Sequence, residues 1–132
     1  SSKRAQEDQR TESDERLFIQ IVESQDSGLH GTTVSCNALD VSANGLRIQS
    51  SIPIPQGSKI DIWINVRSKL GKFFLSSRVM WSKLLDDGNC APGVKLRKGD
   101  TTNFNQWQAH IKAALGRLFY LWALSGIFYL IA

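Results

Sequence analysis

With only two cysteines, three prolines and one methionine in 132 residues, and with its charge scattered, the chain lacks several of the usual ways to build a small fold or a reactive centre. Cys36 and Cys90 are too few and too far apart for a disulfide framework or a metal-ligand spacing. Without a secretory segment they read as reduced thiols of a cytoplasmic protein. His30 and His110 are the only histidines and stand apart from both cysteines, so no metal site is expected. No serine sits in a nucleophile elbow, and Gly57-Ser58-Lys59 lacks the upstream glycine of a phosphate-binding loop. The chain therefore reads as a non-enzyme that carries no cofactor. The adjacent Asp86 and Asp87 precede Gly88-Asn89 and read as hairpin-turn residues before a cation site. Sixteen Lys and Arg against twelve Asp and Glu leave a net charge of +4, which favours an anionic partner. No basic block concentrates that charge, so DNA is not an expected partner.

What the chain does have is short strands. A chain of this length supports one domain with its own core. Leu17 to Val22, Thr32 to Leu39, Leu46 to Gln49, Lys59 to Val66, Lys72 to Trp81 and Gly93 to Leu96 are rich in β-formers and separated by turn residues. The segment at 59–66 alternates most cleanly, with Ile60, Ile62, Ile64 and Val66 on one face and Trp63 on the other. Six strands at this spacing predict a mainly β fold, an antiparallel barrel whose closure removes exposed edges. Thr101 or Thr102 is a candidate cap for a helix starting near Asn103. There Phe104, Trp107, Ile111, Leu115 and Leu118 form an apolar stripe that would lie on the barrel.

The stretch Asp40-Val41-Ser42-Ala43-Asn44-Gly45, followed by Leu46-Arg47-Ile48, carries the most chemistry. A carboxylate can accept two hydrogen bonds from the donor edge of a guanine, a hydroxyl adds a third contact, and glycine permits positive φ and close approach. Asn44-Gly45 between β-rich runs is also a plain hairpin signal that needs no ligand. Together with Arg16 before the first strand, Gly57-Ser58-Lys59, Arg78-Val79-Met80-Trp81 and Gly93-Val94-Lys95-Leu96, this order resembles the PilZ domain, a bacterial receptor module for cyclic di-GMP, over roughly residues 10 to 115. The resemblance implies a six-stranded PilZ-type barrel with a C-terminal α-helix and cyclic di-GMP as ligand. In that family an Arg-x-x-x-Arg pair and the Asp/Asn-x-Ser-x-x-Gly segment grip the dinucleotide together. Carried over, Asp40 recognises guanine, Ser42 adds a hydrogen bond, Gly45 sets backbone geometry and Arg16 meets a phosphate or a base face. Glu12 stands where the first arginine belongs, and Arg10, two positions further upstream, is the candidate replacement. A planar guanidinium clamps phosphate and stacks on purines, whereas a carboxylate repels a dianion. Arg47, Lys59, Arg67, Lys69, Lys72, Arg78 and Lys83 alternate with strand residues and read mostly as a solvated outer face, with some available to a nucleotide pocket.

Three parts result. Residues 1–15 are polar and charged and read as a flexible arm able to fold over a ligand. Residues 16–102 form the barrel, and residues 103–132 a helix with an apolar tail. From Leu118 to Ala132 no residue is charged. As a helix those fifteen residues would be about 22 Å long, short of a roughly 30 Å bilayer core. The tail therefore reads as an oligomer or effector interface before a membrane anchor, with Lys112 and Arg117 on the cytoplasmic side in the latter case. Two functions stay open: a cyclic di-GMP receptor whose arm closes over the ligand, or a degenerate PilZ-like scaffold working through protein contacts or oligomerisation.

Overall fold

The computed structural model describes residues 11–12, 15–65, 72–99, 101–114 and 116. The strands are β1 (Thr11–Glu12), β2 (Arg16–Glu23), β3 (Thr33–Val41), β4 (Gly45–Gln49), β5 (Lys59–Asn65), β6 (Lys72–Leu84) and β7 (Cys90–Arg97). Helix α1 covers 104–114. All pairings are antiparallel, in the order β3-β2-β5-β6-β7-β4, and β4 returns to pair with β3. The result is the expected six-stranded closed barrel with a helix after it. β1 is not a seventh wall strand. It pairs with β3 on the edge that β2 also uses, with Thr11 opposite Val41 and Glu12 opposite Asp40, so it continues the line of β2. The end of the expected arm thus runs beside the motif strand, while Arg10 lies outside the described residues, as do the Ser68–Gly71 turn and the tail from 117 onward.

Alternation sets which residues face in. Ile60, Ile62 and Ile64 of β5 are buried, together with Leu17, Ile19 and Ile21 of β2 and Phe73, Leu75 and Val79 of β6. Each such side chain contributes about 1.5–3 kcal/mol on burial. On the outside, Trp63 lies 5.1 Å from Phe74 between ring centroids, as cross-strand neighbours do. Besides a register shift between Ile21 and Glu23 at the end of β2, two β-bulges break the alternation, one between Ala38 and Asp40 and one between Val79 and Trp81. Each inserts one residue, Leu39 or Met80, and thereby turns the next side chain to the opposite face.

Helix α1 plugs one end of the barrel with Phe104, Trp107 and Ile111. Trp107 meets Phe73 edge to face at 5.3 Å, and its indole Nε1 donates to the Ser42 carbonyl at 2.9 Å. The capping expectation is corrected. Asn103, not a threonine, precedes the helix and offers its carbonyl to the Trp107 N–H at 2.8 Å, while its side chain accepts from the Phe74 N–H. The Thr102 hydroxyl instead donates to the Gly99 carbonyl.

Candidate functional site

Asp40, Arg47, Gly93 and Trp81 stand in one cross-strand row on the outside of the barrel. The register pairs Asp40 of β3 with Arg47 of β4, Arg47 with Gly93 of β7, and Gly93 with Trp81 of β6. Both bulges fall on this row. Counted inward from Cys36 and Ala38, Asp40 would point into the core, and counted from Leu75, Ser77 and Val79 so would Trp81. The extra residues Leu39 and Met80 bring them outside instead.

Arg47 Nε donates to Asp40 Oδ2 at 2.8 Å, a charge-assisted bond that holds the carboxylate against β4 and leaves the guanidinium partly exposed. The Trp81 indole lies over Gly93. A Cβ added to Gly93 would fall 2.2 Å from Trp81 Cε2, so a side chain there and this indole position are incompatible. Trp81 remains 42% exposed, and the ring offers an open aromatic face beside Arg47. The next row holds Lys59, Arg78 and Lys95 opposite one another, ending at Gly45. Arg78, Lys95 and Arg97 line a shallow groove of about 220 Å³ together with Met80 and Leu96. The row thus sets a buried carboxylate, 13% exposed and covered by Arg47, beside an exposed aromatic face and several cations, groups that can hydrogen-bond a base edge, stack on a base and meet phosphate.

The residues expected from sequence divide between this surface and its support. Arg16 is exposed on β2, opposite Asn37, on the same outer side as Asp40 and one strand over. Ser42 is fully buried. Its hydroxyl donates to the Gly45 carbonyl and accepts from the Gly45 N–H, both at 3.0 Å, and so shapes the turn from within. That turn is closed by Ser42 and Gly45 around Ala43-Asn44, one residue earlier than the Asn44-Gly45 signal implies. Gly45 begins β4, and the positive-φ glycines among the described residues are Gly31, Gly57 and Gly88, so its expected φ > 0 is not found. The same turn is tied to α1 by the Trp107–Ser42 bond and by Gln108 Nε2 donating to Asn44 Oδ1 at 2.8 Å. Trp81 was missed as a candidate because the bulge at Met80 hides its parity, and Gly93 and Lys95 because only the β6–β7 register brings them opposite Trp81 and Arg78. The signal available was a tryptophan beside a strand glycine, which often marks close approach.

Cys36 lies in the core, and burial pushes its thiol up to about 11, against a smaller lowering by a hydrogen bond with Ser50. It is a packing residue and not a nucleophile. Asp86 and Asp87 are in the β6–β7 turn, where Asp87 accepts from the Asn89 N–H at 2.9 Å, and no group of potential metal ligands occurs among the described residues.

The architecture is a closed antiparallel barrel followed by a helix, with a polar, aromatic and cationic outer row. The family comparison agrees: the PilZ domain matches residues 7–113. The chain belongs to the PilZ domain family, a family of cyclic di-GMP receptors. Among solved structures it is similar to the inhibitor of motility MotI/DgrA of Bacillus subtilis, with a TM-score of 0.62 and 10% identity, over 86% of this chain and 51% of that one. This chain therefore spans about half the length of that protein. It is also similar to the PilZ domain of YcgR from Escherichia coli, described with c-di-GMP, with a TM-score of 0.55 and 14% identity over 88% and 95% of the two chains. At these identities the likeness shows the fold. No curated protein sequence matches the chain.

Proposed function

We propose that this protein is a cyclic di-GMP receptor that binds the dinucleotide across the outer row Asp40–Arg47–Gly93–Trp81, with the N-terminal segment closing over it. The observation that carries this reading is the pair of bulges that turns Asp40 and Trp81 outward on one row. Asp40 accepts from the guanine donor edge, Trp81 stacks on a base, and Arg16, Arg47 and Lys95 meet phosphate or the second base. Ser42 and Gly45 hold the turn that presents them. β1 supports the closure, because residues 11–12 already run along β3 beside the motif. The protein supplies no chemistry to the ligand. It reads the ligand's presence and passes the changed surface to an effector protein or another copy.

Glu12 opposes Asp40 in register, at the position of the family's first arginine. A charge-assisted bond is worth about 1.5–3 kcal/mol, so its loss weakens binding roughly ten- to a hundred-fold. This observation favours the second reading, a scaffold that has lost the nucleotide and acts through protein contacts. Calorimetric titration of the full chain with cyclic di-GMP separates the two. Saturable heat that falls in Arg16→Ala and Asp40→Ala supports the receptor, and no heat at high ligand concentration rejects it.

A further inference from the structure

The outward positions of β6 and β7 carry charge of one sign. Lys72, Arg78 and Lys83 on β6 and Lys95 and Arg97 on β7 are all exposed, and no carboxylate occupies an outward position of either strand. Arg78 stands directly opposite Lys95 on one side and Lys59 on the other. Like charges so placed disfavour the isolated sheet, and among the described residues no acid pairs with Arg78, Lys95 or Arg97. The neighbouring acids are engaged elsewhere: Glu23 with Lys59 at 3.3 Å, Asp61 with the Ser76 hydroxyl at 3.2 Å, Asp40 with Arg47, and Asp87 in the β6–β7 turn beside Asp86. On the same face of the strand Met80 and Trp81 are 48% and 42% exposed.

We infer that the outer face of β6 and β7 docks this protein on an anionic lipid surface. Cations with interspersed apolar side chains and a tryptophan are the composition that a headgroup layer takes up, the cations meeting lipid phosphates and the indole sitting at the interface. A nucleic-acid strand favours successive stacking aromatics along the cations, and of the two outward aromatics on this face Phe74 is half-buried against Trp63, which leaves Trp81 as the exposed one. An acidic protein would not call for the uncharged apolar stretch at 118–132, whereas two weak attachments in one chain suit a lipid surface. The inference needs no dinucleotide, and because Trp81 and Lys95 also belong to the receptor reading, cyclic di-GMP and lipid would compete for this face.

Co-sedimentation of the full chain with phosphatidylcholine vesicles, with and without phosphatidylglycerol, tests it. The apolar stretch would act on both vesicle types, and the basic face only on the anionic ones. Each cation near an anionic leaflet contributes about five-fold in binding, so the triple variant Arg78→Gln, Lys95→Gln and Arg97→Gln is expected to lose on the order of a hundred-fold of the phosphatidylglycerol-dependent binding. The control Arg78→Lys with Arg97→Lys keeps the charge and is expected to keep the binding, with both variants melting as the parent does. Equal binding of the parent to the two vesicle types would overturn the inference, as would undiminished anionic binding in a folded triple variant. Tighter binding to a single-stranded oligonucleotide than to anionic vesicles would give the face to nucleic acid and overturn it too.

Discussion

Replacing Gly93 by alanine separates the stability of the barrel from the surface that it presents. A Cβ at this position falls within 2.2–2.6 Å of three indole atoms of Trp81, so the ring must leave its seat. Backbone need not move, because Trp81 is 42% exposed and has open solvent to swing into. Displacement re-exposes on the order of 100 Å² of apolar surface, or about 2.5 kcal/mol at about 25 cal/mol per Å². The loss of unfolded-state freedom on replacing glycine returns about 0.5–1 kcal/mol. The net cost is about 1.5–2 kcal/mol, a fall of roughly 5–10 °C in Tm for a domain of this size. Cyclic di-GMP affinity should fall further, by roughly 5- to 150-fold, if stacking on the ring is worth about 1–3 kcal/mol. Thermal melting gives the first quantity and calorimetric titration the second, with Trp81→Ala as the reference that removes the ring outright. A Gly93→Ala protein that binds cyclic di-GMP as tightly as the parent would refute the stacking role. Unchanged indole packing in that variant would refute the geometry.

Glu12→Arg places a guanidinium four residues before Arg16 and opposite Asp40 in register, and calorimetry should show a ten- to hundred-fold gain in cyclic di-GMP affinity. Ser42→Ala removes both side-chain bonds of the β3–β4 turn and should cost about 1–3 kcal/mol in denaturant unfolding. Cys36 should resist alkylation in the native protein at pH 8, since its thiol titrates near 11, and react once the chain is unfolded. The folded pKa is raised, so this contribution to stability is complete below about 9 and lost as pH rises towards 11. Urea midpoints should fall over that window by more in the parent than in Cys36→Ala.

The barrel was legible because strict alternation survives wherever a strand lies wholly over the core. Lys59 to Asn65 shows this best, since three isoleucines point in and Trp63 points out. The candidate site was announced in the sequence only by local motif, at Asp40 and Arg16. Trp81 could not be placed by pattern, because one inserted residue at Met80 reverses the parity of the rest of β6 and a bulge has no composition of its own, and Gly93 comes opposite it only through the β6–β7 register. Ser42 was expected to give a ligand a hydrogen bond and Gly45 to set backbone geometry, and in the fold the two close a turn that Trp107 seats. That use depends on a helix more than sixty residues away in the chain, a distance over which local reading has no purchase.

The proposed seat of the dinucleotide is the outer row formed by β3, β4, β7 and β6, and an NMR titration of the full chain with cyclic di-GMP locates it. The amides of Asp40, Arg47 and Gly93 and the indole N–H of Trp81 should shift together and saturate, while Ile62 in the core stays still. Saturating ligand that leaves those four signals in place, or that moves only residues on another face of the barrel, would contradict it.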